Sequence, residues 1–186
     1  MAEPTLHTTR LLLRPFTPAD APEVQRLAGQ FAIADTTLAI PHPYPDGAAE
    51  AWIREHAQHF IDGQSAIFAI TDKEQGHLLG AIGLERMSQH RKAEMGYWIR
   101  VSLWNRGYCT EAALAVLAYA FDVLDINKVV ARHFSRNPAS GRVMQKIGMR
   151  HEGTLRQDVI KWGRPEDIEL YAILRQEYFA IREAAE

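Results

Sequence analysis

The run Gly96-Tyr97-Trp98-Ile99-Arg100-Val101-Ser102-Leu103-Trp104-Asn105-Arg106-Gly107-Tyr108-Cys109-Thr110-Glu111-Ala112 carries the most chemistry in this sequence. It reads as a strand that enters a short polar loop, which then opens a long helix. The first turn of a helix has N–H groups without intrahelical acceptors, and its dipole places roughly half a positive charge there. Such a turn binds phosphate oxygens through main chain alone. Gly107 permits close approach and unusual backbone angles, Arg106 adds a permanent cation and Thr110 a hydroxyl. Residues 104–110 (Trp104, Asn105, Arg106, Gly107, Tyr108, Cys109 and Thr110) are therefore candidates to cradle a diphosphate. Two other phosphate loops are excluded by pattern: the chain has neither G-x-x-x-x-G-K-[ST] nor a G-x-G-x-x-G after a strand. An ordinary strand-to-helix connection with a turn glycine remains the alternative.

The elements that must position this loop follow from periodicity and punctuation. Residues 8–16 read as a first strand and residues 21–29 as a short helix with Val24 and Leu27 inward. A proline-rich loop, residues 41–47, leads into a helix over 48–62, with Trp52, Ile53, His56 and Phe60 on one face. Strand-like runs at 66–71, 78–86 and 94–101 form a meander. A loop over 103–110 precedes an apolar helix at 111–124, and a β-branched strand spans 128–134. Asn137-Pro138 opens a helix that Gly148 closes. Residues 149–174 read as two strands joined at Gly163-Arg164-Pro165. The order β-α-α-β-β-β-α-β-α-β-β demands a mixed α/β sheet, because the late strands are joined through helices and the early ones through turns.

Composition narrows the function classes. With 186 residues, 47 % of them apolar and 24 % charged, one domain over residues 1–186 buries a sizeable core. A net charge of −2 without a basic tract argues against nucleic-acid binding. The N-terminal residues do not read as a signal peptide, and the longest apolar run, residues 112–121, is too short to span a membrane. The one cysteine, Cys109, excludes an internal disulfide and suits a reducing, cytoplasmic setting. His56 and His59 lie three apart on a helix, but no third ligand is spaced near them, so no metal is expected. Cys109 stands at a helix start, which lowers a thiol pKa, yet it reads as a small packing residue.

Several motifs, in order, resemble the GNAT superfamily of acyl-CoA N-acyltransferases, and within it the ribosomal-protein N-terminal acetyltransferase (RimJ/RimL-type) branch. They are Thr9-Arg10-Leu11-Leu12-Leu13-Arg14-Pro15, His42-Pro43-Tyr44, Gly96-Tyr97-Trp98-Ile99, Arg106-Gly107-Tyr108-Cys109-Thr110-Glu111-Ala112, Asn137-Pro138-Ala139-Ser140, Lys146-Ile147-Gly148-Met149 and Glu152-Gly153-Thr154-Leu155-Arg156. The resemblance implies a mixed seven-stranded sheet with helices on both faces and splayed fourth and fifth strands. It implies acetyl-CoA as cosubstrate and an acetyl group moved to a primary amine by direct transfer. The superfamily loop is often written [Q/R]-x-x-G-x-[G/A]; here Trp104 stands at its first position and Cys109 at its last.

By the same resemblance, Glu94 on the fourth strand is the general base, with Glu85 in reserve, because an amine attacks only when unprotonated. Main-chain N–H groups near Trp98 and Ile99, freed by a bulge, would face the oxyanion and pair with the pantetheine arm. The tyrosine that many relatives place on the helix after Asn137 is replaced by Met144. Ser140, the acid proposed in this branch, would then protonate the departing thiolate. Asn137 binds the pantetheine amide, caps its helix, or does both.

The acceptor implied is a protein N-terminus or a small-molecule amine. Its walls are expected from residues 31–44, the two early helices and the hairpin 161–167. A homodimer stays open. The alternative of a different class is a non-catalytic acyl-CoA-binding sensor; Glu94 and Ser140, both present, favour the enzyme.

Overall fold

The computed structural model describes residues 3–184. Eight strands form one sheet in the order β1-β2-β3-β4-β5-β6-β8-β7. They are β1 (Leu6–His7), β2 (Leu11–Pro15), β3 (Ser65–Asp72), β4 (Leu78–Met87), β5 (Lys92–Ile99), β6 (Lys128–Phe134), β7 (Arg150–Lys161) and β8 (Arg164–Leu174). The sheet exceeds the expected seven strands by β1, whose two residues are held by pairing Leu6 with Leu13 and His7 with Leu12. A two-residue strand carries no periodicity of its own, so only its partner defines it.

The helices are α1 (Ala21–Ala28), α2 (Phe31–Thr36), α3 (Ala48–Ile61), α4 (Tyr108–Ala118), α5 (Pro138–Lys146) and α6 (Arg175–Glu183). A wider turn, Tyr119–Val123, continues α4. Sequence periodicity anticipates α1, α3, α4 and α5 but neither α2 nor α6. The last starts where Glu177 accepts a hydrogen bond from the Leu174 N–H at 2.9 Å.

Strand alternation distributes the helices to both faces. From β3, Ala66, Phe68 and Ile70 point into the larger core with Val116 and Leu117 of α4, Met144 of α5 and Tyr178 of α6. Ala69 points the other way, into a core with Val24 and Leu27 of α1 and Ile53 of α3. Each fully buried aliphatic or aromatic side chain contributes about 1.5–3 kcal/mol, so the two cores clamp the sheet from opposite sides.

One break in the sheet shapes the candidate site. Strands β5 and β6 are parallel, as the α4 crossover requires, and pair only at Lys92–Lys128, Ala93–Val129 and Glu94–Val130. Beyond Glu94 they part. Strand β5 stays fully paired with β4 through Ile99, and β6 stays paired with β8 through Phe134. The sheet is thus split between residues 95–99 and 131–134. The expected bulge near Trp98 is absent: the β4–β5 register runs without a shift through Ala81–Trp98 and Gly80–Ile99. Main-chain groups are freed because the neighbouring strand departs, and β5 itself stays regular. No helix among the described residues is long and apolar enough to cross a membrane.

Candidate active site

The loop after β5 is shaped by two left-handed residues, Asn105 (φ 59°) and Gly107 (φ 79°). Gly107 is the N-cap of α4, so Tyr108, Cys109 and Thr110 form the helix's first turn rather than loop. The N–H groups of Asn105, Gly107, Tyr108, Cys109 and Thr110 take no acceptor among the described residues, whereas the Glu111 N–H closes the first turn onto Gly107 at 3.0 Å. N–H groups without acceptors at a helix start can form an anion cradle. The Trp104 indole N–H donates to the Ile99 carbonyl at 2.8 Å, so this side chain fastens the loop to the end of β5 and offers no donor outward.

Two residues that periodicity did not single out hold the cradle. Glu111 accepts from Thr8 Oγ1 at 2.6 Å, from the Arg10 N–H at 2.8 Å and from Arg10 Nε at 2.7 Å. Burial acts to raise the Glu111 carboxyl, but these hydrogen bonds outweigh it and leave it below the usual carboxylate range. Arg10 also donates to the Arg106 carbonyl at 3.2 Å and lies over the Tyr108 ring, 4.0 Å from its centre. The cradle therefore has a fixed cation at its rim besides exposed Arg106.

The split lies beside this loop. The Arg100 N–H donates to Leu79 across β4. Alternation then turns the main-chain groups of Tyr97 and Ile99 towards the missing β6 partner. The same alternation divides the side chains. Ala93, Met95, Tyr97 and Ile99 face α4 and α5, while Glu94, Gly96 and Trp98 face α1 and α3.

On the α5 side, Tyr97 Oη is 2.9 Å from Ser140 Oγ and 3.1 Å from the Ser140 carbonyl oxygen, either of which can accept its one proton. Gly141 brings the helix this close. A Cβ there would lie 2.6 Å from Nε2 of His133, the buried side chain of β6 on which α5 rests. The Asn137 side chain makes no capping hydrogen bond, so its amide is available to a ligand. Met144 is buried in the core. The sulfur of Cys109 is enclosed although the residue is only partly covered, and burial pushes the thiol up to about 12. Burial overrides the lowering expected from its place at a helix start.

On the other side, both Glu94 oxygens accept from Arg132 of β6, at 2.8 and 2.9 Å. Glu85 is its neighbour on β4. Arg136 joins Asp35 of α2 (3.0 Å) to Glu166 of β8 (2.9 Å). Buried Lys161 donates to the carbonyls of Leu38 and Ile40 at 3.1 and 3.0 Å, and Trp162 stacks on Phe31 at 5.3 Å. The segments expected to wall the acceptor are thus brought together by α2, its following loop and the β7–β8 hairpin.

The structure draws residues 104–110, Ile99, Tyr97, Ser140 and Asn137 to one face of the split and places Glu94 and Trp98 on the other. Tyr97, Arg10 and Arg132 were not singled out from the sequence. Tyr97 had a signal there: a phenol in register with Ala93, Met95 and Ile99 on an inward face needs a polar partner.

Comparison with known proteins gives the same architecture. The acetyltransferase (GNAT) domain family matches residues 10–150. An uncharacterized N-acetyltransferase of Bacillus subtilis, YoaA, is 31% identical over 175 residues, covering 92% of this chain and 97% of its own. A putative ribosomal N-acetyltransferase of the same organism, YdaF, is 35% identical over 104 residues, 55% of this chain and 57% of its own. The solved structure of RimL, a ribosomal L7/L12 alpha-N-protein acetyltransferase in complex with coenzyme A, superposes with a TM-score of 0.83 at 19% identity, covering 92% of this chain and 98% of that one.

Proposed function

The chain belongs to the GNAT acetyltransferase family, with ribosomal-protein acetyltransferases among its neighbours, and from that premise we propose that it moves an acetyl group from acetyl-CoA to a primary amine by direct attack. One observation carries the reading. The main-chain N–H groups of Asn105 and of residues 107–110, without acceptors among the described residues, adjoin the place where β5 and β6 separate. The first suits a diphosphate and the second admits an extended arm that pairs with β5, with Asn137 and the Ile99 N–H as further donors. No metal is invoked.

The sides of the split suit opposite ends of the reaction. The amine nitrogen enters from the Glu94 and Trp98 side and attacks the thioester carbonyl. The carbon–sulfur bond then breaks as the amide forms. Sulfur, whose thiol pKa is about 8.5, takes the Ser140 hydroxyl proton. The proton shed by nitrogen passes to water or to Glu94, and Ser140 regains a proton from water. Glu94 takes a proton only by releasing an oxygen from Arg132. A weakly assisted site of this kind favours an acceptor that is already partly neutral. At pH 7.5 about a quarter of an α-amino group is unprotonated, against about one part in a thousand of a lysine. Protein N-termini are therefore the first acceptor class, as the names of the ribosomal relatives suggest, and small α-amines the second.

The test is thiol release from acetyl-CoA against a panel of peptides and small amines, beside calorimetric titration with CoA. We expect CoA binding, amine-dependent release, and a kcat about 100-fold lower in Ser140→Ala with CoA affinity kept. Binding without release on any amine would reduce the protein to a CoA-binding module, and no binding would refute the site altogether.

A further inference from the structure

We propose that Tyr97 is a positioning residue for Ser140: its phenol fixes the serine hydroxyl at the split so that its proton is offered to the departing sulfur. The inference rests on the acetyl-transfer reading above and deepens it. The two residues lie 43 positions apart on β5 and α5, and their oxygens meet at 2.9 Å. The phenol has one proton and two acceptors within reach, both on Ser140: Oγ and, at 3.1 Å, the main-chain carbonyl. A serine in the first turn of a helix is otherwise free to rotate towards local main-chain groups. With the phenol proton on Oγ, Ser140 holds a single direction. When the phenol donates to Oγ, the serine proton points away from Tyr97, and the same hydrogen bond stabilises the charge that grows on Oγ as that proton leaves.

The site keeps the phenol in the form this needs. Burial, and secondarily the neighbouring Cys109, push the Tyr97 hydroxyl well above its ordinary value against the opposing pull of Ser140, so it stays protonated through the neutral range. Met144, at the position where many relatives carry a tyrosine, is buried in the core and has no proton to give. A phenol reaches Ser140 here from the opposite element.

A double-mutant cycle decides the matter. Tyr97→Phe keeps the ring and removes one oxygen. It should lower kcat about tenfold, the worth of one hydrogen bond, while KM for acetyl-CoA and the calorimetric CoA affinity stay at the wild-type value. Tyr97→Phe with Ser140→Ala should be no slower than Ser140→Ala alone, because the phenol acts only through the serine. A phenol that merely supports the fold would lose its tenfold again in the double variant, and that additive result overturns the proposal while leaving acetyl transfer standing. Full turnover in Ser140→Ala with none in Tyr97→Phe also overturns it, by making the phenol the acid. Absence of thiol release by the wild type on every amine refutes the acetyl-transfer reading and this proposal together.

Discussion

The two sides of the split treat charge in opposite ways. Towards α4 and α5, the side chains around the gap are neutral. Tyr97 is held protonated, the Cys109 thiol is pushed up to about 12, Ser140 carries a hydroxyl, and positive potential comes from main-chain N–H groups and the tethered Arg10. Towards α1 and α3, the groups are ionised and paired: Glu94 with Arg132, and Arg136 with Asp35 and Glu166. The difference matches what each side would have to tolerate under the proposed transfer. A departing thiolate needs donors nearby and no competing anion, so a phenol and a thiol that burial keeps from ionising readily are suitable walls. An approaching amine carries a proton to be shed, and ion pairs open to water can receive or exchange it.

The largest test of this division is at Gly96. It lies on the open half of β5 between Glu94 and Trp98, and a Cβ there would meet no heavy atom within 4 Å. Gly96→Val should fold as well as the wild type, since valine suits a strand. It should bind CoA unchanged, because the cradle lies on the other face. Thiol release should fall about 100-fold, since displacing a reacting amine by about 1 Å costs that much. Unaltered release in steady-state assays would mean that the amine does not approach from this side.

The cofactor side is sharpened next at Glu111. Glu111→Ala removes the acceptor of three hydrogen bonds from Thr8 and Arg10. It should weaken CoA about tenfold by calorimetry and cost about 1–3 kcal/mol in urea unfolding, while kcat at saturating acetyl-CoA changes little. A drop in kcat with affinity intact would show that this tie serves the split rather than the cradle.

These tests also mark what the sequence alone could reveal. The β-branched run in Lys128–Phe134 and the Asn137-Pro138 helix start are local signals, and they predict β6 and α5 to within a residue or two. The candidate cradle stands out in the sequence because a glycine, an arginine and a helix start lie within a few positions. Its fastening does not, because Glu111 meets Arg10 across 101 residues, and nothing in either segment names the other. The same holds for Glu94 with Arg132 and Tyr97 with Ser140. In these last two pairs sequence suggests one residue, Glu94 or Ser140, and only sheet register and helix docking supply the other. The start of α4 was placed three residues late because Asn105 and Gly107 both turn left-handed, so the helix begins at Tyr108, inside what reads as loop. Splaying was expected, but through a bulge, when the departure of β6 suffices.

The smallest expected effect on function is at Cys109, where two physical tendencies oppose each other. A helix N-terminus stabilises a thiolate and burial destabilises it. With the thiol pushed up to about 12, only about one molecule in ten thousand is a thiolate at pH 8, against about one in four for a free thiol. An aromatic disulfide reagent at pH 8 should therefore label the native protein far more slowly than a free thiol. The same reagent should label one equivalent promptly in denaturant, because the chain holds a single cysteine. Cys109→Ala should leave kcat within about twofold, since direct transfer asks nothing of this sulfur. Prompt labelling of the native protein would mean that the first turn of α4 opens to solvent. The side of the split proposed to take the thiolate would then lack the closed, neutral wall that distinguishes it from the side proposed for the amine.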